Sequence, residues 1–379
     1  MTRWRDDLAY VAGLILGLAV LFGFGFADFR EKYVATDDFS YIWLGSRVVL
    51  DGGDPYGKTD WPAAVERYGV QRGPEAFYVY PPHVALALVP VGALPLGTAS
   101  KVWTGGGMVL AALALRSLLR IAAPGRPVLA SLAGFALFVS QPGVTSFWSG
   151  QWTFLLVAGL AWGAACALGA RASAGAAALL LLGKPHLFVL AGLGIARALV
   201  AAGRARLAAV LGAAAALVVI VPLALFPRWL SDEIGDLGSS RLAGQRSPTT
   251  LPVALHDLFG ETGTVLAFVV IIASLVLLVR LDARRALAAT CALSLVTVPY
   301  SWSYDQLVLV VPLAITCAAL TPLAGAIAFT AFLLVPALLY VIASARDNES
   351  FQAFVPLAVF VLAIVVALRE RHRIDVTRG

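Results

Sequence analysis

Charged and hydroxyl side chains are scarce in this chain, so the places where they gather mark where chemistry is feasible. Two adjacent carboxylates stand in Thr36-Asp37-Asp38-Phe39-Ser40-Tyr41, just past a long apolar run. Charge is expensive next to hydrocarbon, so carboxylates kept at such a boundary are functional candidates. A carboxylate beside an apolar cavity can serve as a general base. Cations are the second ingredient: Lys184 in Lys184-Pro185-His186, and Arg241 and Arg246 in a polar loop. Both residue types suit a phosphate, Arg through its bidentate fork and Lys as a point charge. Aromatic side chains are the third, in Trp148, Tyr300, Trp302 and Tyr304. They suit the apolar faces of sugars, or the membrane interface. A base, a cation and aromatic surfaces around one cavity are the parts needed to transfer a sugar from a lipid phosphate.

The elements that position these groups are read from composition. Of 379 residues, 60% are hydrophobic and 13% charged, against about half and a quarter in soluble domains. Several runs reach the roughly 20 apolar residues that cross hydrocarbon as a helix: Leu8 to Phe26, Leu207 to Phe226, Gly263 to Val279 and Phe351 to Leu368. The first is too long for a signal-peptide core and lacks a small-residue cleavage site, so it is expected to stay as a helix. Loops are mostly short, which predicts a single transmembrane domain over 1–379. Cys166, Cys291 and Cys317 each lie in an apolar run and read as small hydrophobes. The net charge of +6 comes from arginines clustered between the runs. That is a topology signal, and no nucleic-acid partner is expected.

With those clusters cytoplasmic, the spans must alternate. Helices are expected over about 8–27, 98–120, 127–147 and 152–170. A broken pair covers 172–199, interrupted at Lys184-Pro185-His186. Helices over about 207–227, 262–280, 286–300, 305–321, 323–343 and 352–369 follow. The fold class is therefore an all-α integral membrane protein of about eleven to thirteen transmembrane helices. It is multi-pass in the plasma (inner) membrane, with both termini cytoplasmic. Segment 28–97 is extracytoplasmic and juxtamembrane, and 228–261 is an extracytoplasmic loop. Tyr80 to Pro95 is expected to lie at the interface or dip in and out, because a full crossing would turn the later arginine clusters outward. This arrangement puts the unusual polar groups on the outer face and leaves Arg, Gly and Ala in the cytoplasmic loops.

The ordered set of motifs resembles glycosyltransferase family 87. It comprises Thr36-Asp37-Asp38-Phe39-Ser40-Tyr41, Gly53-Asp54-Pro55-Tyr56, Tyr80-Pro81-Pro82, and Leu94-Pro95 before a helix bearing Trp103. Gly150-Gln151, Gly183-Lys184-Pro185-His186 and Pro299-Tyr300-Ser301-Trp302 continue it in the family's order. The resemblance implies a GT-C-type bundle and a polyprenyl-phosphate sugar as donor, typically of mannose or arabinose. It also implies inverting transfer on the extracytoplasmic side to a lipid or glycan acceptor. The family's essential carboxylate precedes an apolar residue and a Tyr, a pattern that maps to Asp38 followed by Phe39 and Tyr41, with Asp37 the runner-up. The late Ser-Trp motif of the mannosyltransferase members continues into histidines. Here it continues Ser303-Tyr304-Asp305-Gln306, which leaves the acceptor and the sugar open.

Each candidate also has a plainer role. Asp38 could cap the helix beginning at Phe39; the doublet lets one carboxylate cap and the other act. Lys184 could snorkel or contact the donor phosphate at the break, since breaks in membrane helices line cavities. Arg241 and Arg246 stand either in a solvated loop or at a phosphate. Asp305 either pairs with Arg241 or Arg246 or caps the helix over 305–321. Gln151 contacts the donor or caps a helix. Tyr41, Tyr80, His83, His186 and Trp302 complete the substrate-binding set, with packing as their alternative. No Gly-rich loop ending in Lys-Ser/Thr is present, and no His/Cys cluster has metal-ligand spacing. Neither a cofactor nor a metal is required, since Lys and Arg can neutralise a leaving phosphate. The rival reading is a lipid-linked glycan transporter or flippase, but that class commonly carries an internal repeat, and none is evident.

Overall fold

The computed structural model describes residues 2–25, 32–71, 78–229, 248–298 and 300–378. It is all-helical, with no strand among the described residues. Among the described residues, six helices are long and apolar enough to cross a membrane: Arg3–Gly23, Leu96–Ala122, Ala205–Leu225, Glu261–Arg280, Pro322–Arg346 and Ser350–Glu370. Pro127–Val139 and Gln141–Ser149 form a bent pair that would make a seventh span. Four shorter apolar helices, among them Thr153–Leu168 and Pro185–Ala201, complete a membrane helical bundle.

Proline decides where helices break. The single helix expected over 127–147 is two, bent by 42°. Pro142 has no N–H for the carbonyl four residues back, and its ring crowds that carbonyl. Ser140 accepts a hydrogen bond from the Gly143 backbone at 3.3 Å and starts the chain afresh. The expected break at Lys184 is present. A 3-10 helix over Ala176–Gly183 ends there and an α-helix begins at Pro185. Lys184 adopts φ −138°, ψ 74°, outside the α region that a following proline disfavours. Tyr80 to Pro95 folds as two short helices, Pro82–Ala87 and Val89–Gly92. Both are far too short to cross about 30 Å of hydrocarbon. The segment 228–261 carries a helix the sequence reading lacks, Leu251–Phe259.

Close packing is set by small residues. The first helix, Thr2–Gly23, lies against Pro127–Val139 at a distance only glycine allows. A Cβ on Gly13 would stand 2.1 Å from the Ser131 carbonyl oxygen, and one on Gly134 would stand 2.7 Å from that of Tyr10. In lipid, where apolar burial does not drive helices together, such contact lets backbones gain dispersion energy. Leu96–Ala122 packs on Thr153–Leu168, and Pro185–Ala201 on Ala283–Val296. The centre of the bundle is filled by Ala, Leu and Val, including Leu115, Leu156, Leu160 and Val311.

One end of the bundle belongs to the arginines. Arg204 donates to the carbonyls of Cys166 (2.9 Å) and Ala170 (2.7 Å), at the end of Thr153–Leu168. Arg197 donates to Leu278 (2.8 Å) and Val279 (3.1 Å), at the end of Glu261–Arg280. Arg126 donates to Ala318 (3.2 Å), the last residue of Val310–Ala318. Helix C-termini leave carbonyls unpaired and carry partial negative charge, so each guanidinium satisfies both needs. Arg116 and Arg120 both donate to Asp7 at 3.0 Å.

Candidate active site

Other elements of the bundle enclose a cavity of about 370 Å³. Asp37 and Asp38 reach it from the start of Asp38–Leu50. Trp148 and Ser149 reach it from the end of Gln141–Ser149, and Trp302, Ser303 and Tyr304 from the start of Ser303–Leu309. Tyr340 closes it from Pro322–Arg346 and Glu349 from the link before Ser350–Glu370, and Tyr33, Thr36 and Thr145 complete its wall.

The two carboxylates have separate tasks. Asp37 is the N-cap: its side chain accepts from the Ser40 backbone at 2.9 Å. Asp38 opens the helix, and its Oδ2 accepts from Gln151 Nε2 at 2.6 Å. These residues are 113 positions apart, and Trp103 brings them together. Its ring packs on Phe39 at 5.7 Å and on Trp152 at 4.8 Å, and its Nε1 donates to the Gly150 carbonyl at 2.9 Å. Gly150 ends Gln141–Ser149 with φ +65°, a left-handed conformation that glycine adopts without strain. That turn directs Gln151 back to Asp38.

The amide of Gln151 is held on three sides. Its Oε1 accepts from the Tyr80 hydroxyl at 3.4 Å, and its Nε2 also donates to the Tyr304 hydroxyl at 3.2 Å. Behind Tyr304 lies a buried ion pair, Lys184 Nζ to Asp305 Oδ1 at 2.7 Å. Lys184 is 7% exposed and Asp305 1%. The ammonium sits 4.6 Å from the Tyr304 ring centroid, within range of the attraction between a cation and an aromatic face. The other Asp305 oxygen accepts from the Trp302 backbone at 3.1 Å. Asp305 therefore caps a helix start, and among the described residues the cation it meets is Lys184, a pairing the sequence reading lacks.

The other predicted site residues divide. Trp302 lines the cavity. Tyr41 is buried against Trp61 at 5.5 Å, outside the wall. His83 is buried and donates through Nε2 to the Leu182 carbonyl at 2.7 Å, tying Pro82–Ala87 to the broken pair. Burial pulls its imidazole below the ordinary range, and the bond to Leu182 acts in the opposite direction. His186 stacks on Tyr300 with centroids 4.3 Å apart. Lys184 stands behind Tyr304 and does not line the cavity. Arg241 and Arg246 fall outside the described residues. Glu349 is a cavity carboxylate that sequence reasoning missed; it accepts from the Ser303 backbone at 3.3 Å. The signal was available in Asp347-Asn348-Glu349-Ser350, a polar tetrad between two apolar runs. Among the described residues, no three His, Cys, Asp or Glu side chains converge as metal ligands.

The model of glycosyltransferase family 87 matches residues 78–302, more than half of the chain. The chain belongs to glycosyltransferase family 87. It is therefore a membrane glycosyltransferase, not a transporter. No curated protein and no solved structure matches it. The family 87 match contains Tyr80, His83, Gln151, Lys184, His186 and Trp302. Asp38 and Asp305 lie outside it and join the site through contacts to Gln151 and Lys184.

Proposed function

We propose that this glycosyltransferase moves a mannose- or arabinose-like sugar from a polyprenyl-phosphate donor to a lipid or glycan acceptor. The transfer takes place on the extracytoplasmic side and inverts the anomeric centre. The observation that carries this reading is the placement of Asp38. It stands on the wall of a cavity whose other surfaces are aromatic (Trp148, Trp302, Tyr304, Tyr340), hydroxylic (Thr145, Ser149) and acidic (Asp37, Glu349). Aromatic faces and hydrogen-bonding groups are what a neutral, polyhydroxylated ring requires. The cavity volume falls within the range of small-ligand sites, roughly 300–1,000 Å³.

Asp38 takes the proton of the acceptor hydroxyl as that oxygen attacks the anomeric carbon. The new carbon–oxygen bond forms as the bond to the donor phosphate breaks, and the polyprenyl phosphate leaves with the electron pair. Attack opposite the leaving group accounts for inversion. The departing phosphate needs positive charge beside it. Arg241 and Arg246 are assigned that task, and Lys184 adds its field from behind Tyr304. Because Lys184 already faces Asp305, direct contact with the phosphate would require the two anions to share it.

The test uses purified protein, a panel of polyprenyl-phosphate sugars and mass analysis of the products. Asp38→Asn keeps the shape of the side chain and removes the base. Its transfer rate should fall by about 10²- to 10⁴-fold, the usual contribution of acid–base catalysis. A folded Asp38→Asn protein with full transfer would refute the assignment.

A further inference from the structure

Proton transfer needs a carboxylate with one oxygen in reach of the acceptor, and Asp38 is not left to rotate. We infer that Gln151 is a positioning residue for Asp38: its amide N–H binds Oδ2 and fixes the plane in which the carboxylate meets the acceptor. The inference rests on the reading of Asp38 as base and goes beyond it.

The geometry supports it in three ways. First, the contact is short, 2.6 Å from Nε2 to Oδ2, in the range of hydrogen bonds to charged acceptors. Second, the amide cannot be reversed without losing its partners. The Tyr80 hydroxyl donates to Oε1, while Nε2 faces both Asp38 and Tyr304. A flipped amide would present an acceptor to a carboxylate. Third, Gln151 is buried and its backbone is fixed by the Gly150 turn and Trp103. A carboxylate held by a rigid donor is in position before the substrate arrives, which is how preorganised sites lower barriers.

Several ionisable groups surround this carboxyl. Asp37 and Tyr33 come from its own side. Tyr80, Tyr304, Tyr340 and Glu349 come from the elements packed around it. The Lys184–Asp305 pair lies behind Tyr304. All of these stay in place in the variants below.

Two near-isosteric variants separate positioning from scaffolding. Gln151→Leu removes the donor and keeps the bulk. Its kcat should fall by about 10- to 100-fold, the value of one hydrogen bond to a charged group, with KM for both substrates within about threefold. Gln151→Glu replaces the donor with a second carboxylate beside Asp38. A like charge holds a proton onto the pair, so the acid limb of the kcat/KM profile should move to higher pH by about one unit or more. A merely structural role would lower the yield of folded protein without moving that limb. The inference is overturned if Asp38→Asn is inactive while folded Gln151→Glu shows the wild-type pH profile. Should Gln151→Leu fail to fold, Gln151→Glu decides alone. If Asp38→Asn is fully active, the reading of Asp38 as base is what has failed.

Discussion

Lys184 and Asp305 carry opposite charges almost out of reach of water. Removing ions from water is costly, and here the cost is offset by a 2.7 Å contact, the Tyr304 face and the Trp302 N–H. Removing one partner strands the other, typically at about 3–5 kcal/mol. Lys184→Met should therefore lower stability by about that amount in a denaturation experiment in detergent. Adding Asp305→Asn should recover most of it, because no buried charge is left alone. The double-mutant cycle measures the coupling directly, and additive losses would show that the pair is not coupled. Glu349 calls for a different reading. Its carboxylate lines the cavity while one oxygen binds the Ser303 backbone. Glu349→Gln keeps that acceptor and removes the charge, so it should fold normally. Its acceptor KM should rise by about 10-fold, as for one charge-assisted hydrogen bond to a sugar hydroxyl. Unchanged KM values would restrict Glu349 to capping.

At the scale of elements, the first helix depends on glycine. It stands against Pro127–Val139 with Gly13 and Gly134 at the contact, and Pro127–Val139 leads through the Ser140 bend into the segment that carries Trp148 and Ser149. A side chain on Gly13 has to force the two backbones apart. Gly13→Leu is expected to destabilise by about 1–3 kcal/mol, the usual cost of overpacking. Gly105 is the control: a Cβ there meets nothing within 4 Å. Gly105→Ala should be neutral or stabilise by up to about 1 kcal/mol through helix propensity. Thermal unfolding of both variants in one detergent provides the comparison, and equal effects would deny the close approach. The bend at Ser140 and the break at Lys184 serve the site in a similar way. Each stops a helix short and places polar groups where an unbroken helix would have placed only apolar ones.

At the scale of the molecule, the bundle has two chemically different ends. Thr153–Leu168 runs from Gln151 at the cavity to carbonyls capped by Arg204. Val310–Ala318 runs from the Tyr304 side to a carbonyl bound by Arg126. These arginines thus mark one face, which the proposed topology puts in the cytoplasm by the positive-inside rule. The three native cysteines are buried, so introduced cysteines can report orientation. Lys58 and Arg206 are both exposed, on the segment between the first two spans and in the first turn of Ala205–Leu225 respectively. A membrane-impermeant maleimide should label Lys58→Cys in intact cells and Arg206→Cys only after permeabilisation. The reverse pattern would invert the topology and move the site to the cytoplasmic side.

The sequence by itself determined the membrane class and the break at Lys184, and it singled out the Asp37-Asp38 doublet that lines the cavity. Each of these is a local matter: hydropathy over a run, the missing N–H of a proline, the cost of charge beside an apolar segment. Its ordered motifs also carried the family resemblance. Only the tertiary structure decided which aspartate caps and which meets Gln151, because the two differ by one residue and their partners come from distant helices. Only it paired Lys184 with Asp305 across 121 positions and set Glu349 on the same cavity wall as the doublet. Contacts of that kind depend on which helices cross, and no local property of the chain encodes which crossings form.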